Sequence, residues 1–199
     1  MVRRRKQTPS QKTASIGSVR IISGLWRGRK LPVHDAQGLR PTTDRVKETL
    51  FNWLAQDIPH AKCLDVFSGS GGLGFEAASR QAELVTMVEL NDQAFRQIKE
   101  NIERVAATNI EVHHGDALQY LAQSGQAYDV VFIDPPFRQG LLAETIDKLE
   151  SNGWLARNAV VYIETEKELE LPNLPEHWQL TKEKTAGQVC YRLFERNEK

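Results

Sequence analysis

Three observations predict an α/β fold with a mostly parallel sheet that ends in an antiparallel hairpin. From Cys63 onward, short apolar runs alternate with helical patterns, which is typical of βαβ units with helices on both faces of a sheet. The last two strand-like runs, 177–184 and 189–195, are joined by Thr185-Ala-Gly187 without a helix and should therefore pair as a hairpin. The chain has 199 residues, 40% of them apolar, which suits one doubly wound domain burying roughly 70% of its unfolded surface.

The residues before this core are predicted to form two parts. Residues 1–17 are polar and basic and are interpreted as a disordered arm. Residues 18–58 are predicted to pack on the core as a small basic hairpin, with two short strands in 19–33, and a helix over 42–56. Residues 59–199 then form the main domain.

Strands and helices are predicted to alternate through the main domain. Helices are expected over Asp92–Val105 and Leu141–Leu149, and a further helix is expected to begin near Phe75. Five strands precede the hairpin, at 63–67, 84–89, 110–113, 128–133 and 159–164. With the two hairpin strands, the predicted sheet has seven.

The net charge of zero hides an uneven distribution of charge. Residues 1–34 carry nine Lys or Arg and no acid, whereas the rest of the chain carries 17 basic and 26 acidic residues, a net charge of −9. A basic segment on an acidic body indicates a polyanionic partner that meets one face. The alternative is a solvated tail that only aids solubility.

Several function classes find no support in the composition. Cys63 and Cys190 lie far apart in strand-like regions, and no Cys/His cluster with metal-ligand spacing accompanies them, so neither a disulfide nor a metal site is expected. The sequence shows no signal-peptide pattern and no apolar run long enough to cross a bilayer. We therefore expect a cytoplasmic protein with no membrane partner, and a monomer as the default state.

A glycine-rich loop follows the first strand of the main domain. The loop reads Ser68-Gly-Ser-Gly-Gly-Leu-Gly74, in which Gly69 and Gly71 begin a GxGxxG pattern. Glu89 ends the next strand, twenty residues after Gly69. This pattern alone fits a dinucleotide as well as other nucleoside ligands, so the neighbouring side chains must decide between them.

Asp65 favours a cationic ligand. It lies inside the first strand, close to the expected crevice, where a carboxylate would repel a pyrophosphate and attract a sulfonium and an ammonium group. Glu89 could accept both ribose hydroxyls of either ligand, and Asp116, after the third strand, could accept a hydrogen bond from an adenine amino group. These features favour S-adenosylmethionine, whereas the alternative is that the acids are ordinary helix caps.

The tetrapeptide Asp134-Pro-Pro-Phe137 stands at the end of the fourth strand. Two prolines cannot continue a ladder, so the tetrapeptide is expected to form a stiff loop at the crevice mouth. The amino nitrogen of a base is a poor nucleophile because its lone pair is delocalised, and its methylation needs acceptors that bind both N–H bonds. The Asp134 carboxylate and the Pro135 carbonyl are suitable acceptors, and Phe137 offers a face for stacking. The alternative is a plain turn that ends the strand.

Residues 60–196 resemble class I (Rossmann-like) methyltransferases, whose sheet of seven strands ends in such a hairpin. A narrower match comes from Arg20–Pro32, Leu39–Glu48 and Leu64–Gly74, together with Asp134–Phe137. These segments resemble the bacterial family that methylates the guanine 2-amino group of one nucleotide in small-subunit (16S) ribosomal RNA.

This resemblance implies an S-adenosylmethionine-dependent rRNA (guanine-N2)-methyltransferase, with residues 59–199 as its cofactor-binding catalytic domain. It implies that the substrate is RNA within an assembled or partly assembled small subunit. It also implies that the target guanine leaves its stack and is held by all four residues of the tetrapeptide, including Pro136. The implied cofactor-binding residues are Asp65, Ser68, Gly69, Gly71, Glu89, Leu90, Asp116 and Ala117. The residues expected to contact RNA are Arg3, Arg4, Arg5, Lys6, Arg27, Arg29, Lys30, Arg40 and Arg45.

Other functions stay open at this stage. A DNA adenine methyltransferase could use the same tetrapeptide but generally needs extra sequence to read base edges, and a protein glutamine methyltransferase would be expected to carry Asn at position 134. The glycine pattern alone would also fit an NAD-dependent oxidoreductase, against which Asp65 and Asp134 argue. An RNA-binding protein with an inactive fold would lack the acceptor at position 134.

Overall fold

The computed structural model describes residues 17–33 and 43–197, and these residues form nine strands and five helices. The strands are β1 (Gly17–Arg20), β2 (Lys30–Val33), β3 (Lys62–Asp65), β4 (Leu84–Glu89), β5 (Ile110–His114), β6 (Tyr128–Ile133), β7 (Leu155–Glu166), β8 (Trp178–Ala186) and β9 (Val189–Arg196). The helices are α1 (Asp44–Trp53), α2 (Gly72–Ser79), α3 (Asp92–Val105), α4 (Ala117–Leu121) and α5 (Leu142–Ser151).

Seven strands form one mixed sheet in the order β5-β4-β3-β6-β7-β9-β8. Strands β3 to β7 are parallel, and β9 runs antiparallel to both of its neighbours, β7 and β8. The predicted sheet and its closing hairpin are confirmed. Because β3 has β4 on one side and β6 on the other, the direction of winding reverses there, and open α/β sheets bind ligands outside the carboxyl ends of strands at such a point.

The sheet has a hydrophobic core on each face. On one face, Phe51 of α1, Phe75 of α2 and Ile98 of α3 belong to a single buried cluster. On the other face, Leu121 of α4 and Leu149 of α5 belong to a second cluster. The helices therefore bury both faces of the central strands, which explains why these strands have nearly continuous apolar sequences.

The N-terminal hairpin, formed by β1, β2 and their connection, is held against α2 by polar groups. Glu76 of α2 is fully buried and accepts hydrogen bonds from the backbone N–H groups of Ile22 (2.7 Å) and Ser23 (3.0 Å). Gly24 has φ +81°, and a Cβ there would lie 1.9 Å from the carbonyl oxygen of Ser79, the last residue of α2. Only glycine fits this approach, so the turn of the hairpin lies at the carboxyl end of α2.

Some predicted boundaries differ from those observed. Helix α1 begins at Asp44, inside the predicted range 42–56, because the Thr43 hydroxyl accepts a hydrogen bond from Val46 N (3.4 Å) and caps the helix; it ends at Trp53, before the predicted end. Helix α2 begins at Gly72 rather than near Phe75. Its first turn contains two glycines, and because glycine has low helix propensity, the sequence predicts a later start. Strand β1 begins at Gly17, inside the range predicted for the arm.

Candidate active site

The glycine loop makes a tight turn between β3 and α2. Gly69 and Gly71 have φ values of +52° and +75°, a conformation that residues with a Cβ rarely adopt. A Cβ at Gly71 would lie 2.9 Å from the ring of Phe75, and one at Gly74 would lie 2.3 Å from Cε of Met87 on β4. The glycines therefore permit both the backbone turn and the close packing of α2 on the sheet.

Asp65 lies beneath this loop at the end of β3. The residue is 1% exposed, and its Oδ2 accepts a hydrogen bond from Gly74 N at 3.2 Å, while its carbonyl accepts one from the Ser68 hydroxyl at 3.0 Å. Burial raises the pKa of the Asp65 carboxyl from 3.8 to about 7; the Gly74 hydrogen bond lowers it and the charge of Glu89 raises it further. A cation that approaches this carboxylate would relieve its unfavourable burial.

Glu89 joins the glycine loop to the end of β4. Its Oε2 accepts a hydrogen bond from Gly69 N at 2.6 Å, and its Oε1 accepts one from Asn91 N at 2.7 Å. Burial raises the pKa of the Glu89 carboxyl, although both hydrogen bonds oppose this shift. An ionised carboxylate can accept about four hydrogen bonds, so Glu89 keeps capacity for ligand hydroxyl groups.

The end of β5 completes this side of the crevice. Leu90 is 66% exposed, and its carbonyl oxygen lies 3.2 Å from Nε2 of His114, whose ring stacks on Phe95 at 4.8 Å. Asp116 caps α4, because its Oδ1 accepts a hydrogen bond from Gln119 N at 2.9 Å. The capping alternative considered for Asp116 is therefore present, and its contact with adenine stays a prediction.

The first residue of α4, Ala117, is buried directly after this cap. Ala117 belongs to the same buried cluster as Val88 of β4, so a small side chain lets α4 begin close to this strand. The predicted contact of Ala117 with the cofactor stays a prediction.

The tetrapeptide 134–137 leaves the carboxyl end of β6, next to β3 and its glycine loop. Pro135 is buried, Asp134 and Phe137 are half-buried, and Pro136 is exposed. The loop is fixed behind the tetrapeptide, where the backbone N–H of Arg138 (φ +61°) donates to the Glu166 carboxylate at 2.6 Å. The residues predicted to bind the cofactor and the tetrapeptide thus lie at one edge of the sheet.

Two residues of β7 beside the tetrapeptide escaped the sequence interpretation. Tyr162 is buried and its hydroxyl donates a hydrogen bond to the Glu164 carboxylate at 2.6 Å. Glu164 is only 6% exposed. The sequence offers one indication of Glu164, an acidic residue within the apolar run 159–164, but this pattern by itself predicts only a strand.

Arg45 lies at the same edge as the glycine loop. It is exposed in the first turn of α1, two residues before Lys47. Nζ of Lys47 donates to the carbonyl of Arg20 at 2.5 Å, and a Cβ at Gly72 would lie 4.0 Å from Lys47 Cδ. The beginning of α1 is therefore adjacent to the beginning of α2.

Arg29 of the N-terminal hairpin lies at the opposite end of the fold. Arg27, Arg29 and Lys30 are exposed, and Nη1 of Arg29 donates to the carbonyl of Arg104 at 3.4 Å. Arg104 is in the last turn of α3, a helix of 14 residues that begins at the crevice edge and is therefore about 20 Å long. The structure therefore does not bring Arg29 to the crevice. The other predicted RNA contacts, Arg3, Arg4, Arg5, Lys6 and Arg40, lie outside the described residues.

Metal ligands and membrane spans are absent from residues 17–33 and 43–197. No three His, Cys, Asp or Glu side chains in these ranges are grouped closely enough to hold a metal ion. No helix within them is long and apolar enough to cross a bilayer. Both cysteines are buried and carry free thiols.

Comparison with known proteins connects this geometry to a family. A family model described as "Conserved hypothetical protein 95" matches residues 19–195. Ribosomal RNA small subunit methyltransferase D of Escherichia coli (strain K12) is 55% identical over 180 residues, covering 90% of this chain and 91% of that protein. The chain belongs to the ribosomal RNA small subunit methyltransferase D family. The Haemophilus influenzae protein of the same name is 51% identical over 193 residues, covering 95% of this chain and 97% of that protein.

Solved structures agree with this assignment to the methyltransferase D family. The structure of yhhF from Escherichia coli matches with a TM-score of 0.85 and 53% identity, covering 92% of this chain and 100% of that chain. The structure of HI0767 from Haemophilus influenzae matches with a TM-score of 0.80 and 49% identity over the same shares. The predicted class I methyltransferase fold and methyltransferase activity are confirmed, and the oxidoreductase alternative is excluded.

Proposed function

We propose that this chain methylates the exocyclic 2-amino group of a guanine in small-subunit (16S) ribosomal RNA, within an assembled or partly assembled subunit. The observation that carries the proposal is the position of Asp134-Pro-Pro-Phe137 at the carboxyl end of β6, adjacent to the glycine loop after β3. The names of the similar proteins, which state ribosomal RNA of the small subunit, support the substrate. A ribosomal substrate also supports the expected cytoplasmic location.

The residues of the crevice fit S-adenosylmethionine. Two buried carboxylates, Asp65 and Glu89, border the glycine loop and accept hydrogen bonds from its backbone. This donor set suits a ligand with a cationic centre and ribose hydroxyls, and it opposes a pyrophosphate. The residues that would hold the cofactor are Asp65, Ser68, Gly69, Gly71, Glu89, Leu90, Asp116 and Ala117. When bound there, S-adenosylmethionine supplies an activated methyl group.

The tetrapeptide has the groups that an amino nitrogen requires. The Asp134 carboxylate and the Pro135 carbonyl can each accept a hydrogen bond from one N–H of the amino group. They would thereby direct the nitrogen lone pair toward the cofactor side of the crevice. Phe137 is half-buried and can stack on the base, an interaction worth about 1 to 3 kcal/mol. Carbon methylation of a pyrimidine usually needs a cysteine nucleophile, and both Cys63 and Cys190 are buried.

RNA would be held by basic groups at both ends of the fold. Arg45 and Arg138 are exposed at the crevice edge, where they can contact phosphates that flank the target base. Arg29 is about one helix length away and, with Arg27 and Lys30 of the same hairpin, can contact a second RNA segment that only a folded subunit provides. The arm at residues 1–17 would add contacts of the same kind, and the enzyme would act as a monomer.

The decisive experiment is transfer of labelled methyl from S-adenosylmethionine to unmethylated small subunits and to free 16S RNA. Nucleoside analysis and mapping should find the label on N2 of one guanosine. A higher rate on subunits than on free RNA is expected if bound proteins assist recognition. Label on adenine N6, on DNA or on protein amides instead would overturn the proposal.

Substitution of single arginines should separate the two RNA contacts. Arg45→Ala is expected to weaken binding both to whole subunits and to a short RNA hairpin that carries the mapped guanosine. Arg27→Ala is expected to weaken binding to subunits alone, because its segment lies beyond the reach of the short RNA. Each lost phosphate contact should reduce the slope of log affinity against log salt by about 1. Filter binding at several salt concentrations measures both effects, and Arg96→Ala, on the exposed surface of α3, is a matched control.

A further inference from the structure

Strand β7 carries three polar residues, Tyr162, Glu164 and Glu166, on one face, beside the end of β6 where the tetrapeptide begins. In the parallel pairing of β6 with β7, Phe132 is opposite Tyr162 and Ile133 is opposite Ile163. The next position on each strand is Asp134 and Glu164. Since side chains alternate along a strand, Tyr162 and Glu164 share the face that Phe132 and Asp134 share on β6.

Contacts on either side of Glu164 along β7 support this placement. Two residues before it, the ring of Tyr162 lies 6.3 Å from the ring of Phe132, measured between centroids. Two residues after it, the Glu166 carboxylate accepts the hydrogen bond from Arg138 N, directly after the tetrapeptide. Glu164 lies between these two contacts, so its carboxylate is level with the tetrapeptide.

The surroundings of Glu164 are those of a recognition group rather than a surface charge. Its residue is 6% exposed, and Oε2 accepts a hydrogen bond from the Tyr162 hydroxyl at 2.6 Å. The pKa of Tyr162 is raised well above 10.0, first by burial and then by the negative charges of Glu164 and Asp134. The hydrogen bond places Glu164 at this hydroxyl, and the strand pairing places Asp134 on the same face.

The Watson–Crick edge of guanine presents two adjacent donors, the N1–H and the 2-amino group. Adenine presents an N1 lone pair in place of this N–H. A carboxylate opposite N1 therefore attracts guanine and repels adenine, and enzymes that extrude a base commonly read this edge by hydrogen bonds. In the proposed function, Asp134 binds the 2-amino group, and no protein group is assigned to the N1–H.

We infer that Glu164 accepts a hydrogen bond from N1–H of the target guanine and thereby sets base specificity, while Asp134 binds the 2-amino group. The inference rests on the proposed function. Tyr162 is a positioning residue, because its hydroxyl holds one oxygen of Glu164 and orients the carboxylate. Since a carboxylate has about four acceptor sites, the bond from Tyr162 and the bond from N1–H are compatible.

The test compares the methylation of two substrates. In each, a segment of 16S RNA that carries guanosine or 2-aminopurine riboside at the mapped position is ligated into the full RNA, which is then assembled into small subunits. 2-Aminopurine keeps the 2-amino group and lacks the N1–H. Wild-type enzyme should methylate it with kcat/KM about 10- to 100-fold below the value for guanosine. Glu164→Gln should lose about 10- to 100-fold on guanosine and much less on 2-aminopurine, because an amide can donate to N1.

Several outcomes distinguish the possible failures. Equal wild-type rates on both bases would overturn the role of Glu164 without requiring any variant to fold. An equal loss by Glu164→Gln on both bases would show a structural role and would also overturn it. Absence of guanosine methylation by wild-type enzyme would overturn the proposed function itself.

Two variants act as controls for this test. Glu195→Gln removes an exposed carboxylate of β9 and should leave the ratio of the two rates unchanged. Tyr162→Phe removes the hydrogen bond to Glu164 and should lower the same ratio by a smaller factor than Glu164→Gln. S-adenosylmethionine affinity should equal that of wild type in all three variants, because none of the substitutions touches the glycine loop.

Discussion

The two halves of the crevice hold their carboxylates in different ways. In the cofactor half, Asp65 and Glu89 accept hydrogen bonds from backbone N–H groups of the glycine loop and of Asn91. In the base half, Glu166 also accepts a hydrogen bond from a backbone N–H, that of Arg138, whereas Glu164 accepts one from a side chain, the Tyr162 hydroxyl. The tetrapeptide itself is half-buried or exposed at three of its four positions.

This difference indicates how rigid each half must be. Backbone amides in a tight loop have fixed directions, so the cofactor half is formed before any ligand arrives. The base half must admit a base that leaves its stack, and a site bordered by side chains can adjust more easily than one bordered by backbone. Substitutions in each half test whether the two halves are energetically separate.

Asp134→Ala should affect only the base half. We expect kcat to fall about 100- to 1000-fold, since an acceptor that acts in the transition state is lost. S-adenosylmethionine affinity should stay within about twofold of wild type, as a calorimetric titration would show. Asp147→Ala, an exposed position on α5, is the control. Near-normal turnover, or a large loss of cofactor affinity, would contradict the separation of the halves.

Asp65→Asn should affect the cofactor half in a pH-dependent way. Because the pKa of Asp65 is raised from 3.8 to about 7, the folded protein prefers the protonated carboxyl, and this stability is lost as pH rises toward 7. A cationic ligand prefers the ionised form, so wild-type affinity for S-adenosylmethionine should rise between pH 6 and about 8. The variant should bind about 10- to 100-fold more weakly at pH 8 and show a flat profile.

The pH experiment has its own controls. Asp92→Asn removes an exposed carboxylate of α3 and should keep the wild-type profile. Without ligand, thermal unfolding of Asp65→Asn should lose the fall in stability that wild type shows from pH 5 to pH 7. A wild-type affinity that does not change over this range would contradict the role assigned to Asp65.

Gly71→Ala and Gly140→Ala compare the backbones of the two halves. Both glycines have positive φ, +75° and +66°, so each substitution should cost about 1 kcal/mol for the backbone conformation. A Cβ at Gly71 also meets the ring of Phe75 at 2.9 Å, whereas no described atom lies within 4 Å of a Cβ at Gly140. We expect Gly71→Ala to cost about 1 to 3 kcal/mol more in free energy of unfolding, measured with denaturant. Equal costs would contradict the tighter packing of the cofactor half.

Much of the fold follows from local sequence patterns. The bounds of β4, β6 and α3 agree with the prediction residue for residue, because each combines a clear apolar pattern with a local boundary. Asn91, for example, caps α3 through hydrogen bonds from Gln93 N and Ala94 N. The glycine loop and the tetrapeptide were also predictable, since their chemistry lies within a few consecutive residues.

The sequence by itself predicted most of the element order and the positions of the glycine loop and of the tetrapeptide 134–137, because these depend on neighbours along the chain. Only the tertiary structure decided that Glu164 lies beside Asp134, since the pairing of β6 with β7 joins residues thirty positions apart. It likewise placed Arg29 against the far end of α3, away from the crevice. Contacts between distant residues depend on strand order and helix packing, which local periodicity does not encode.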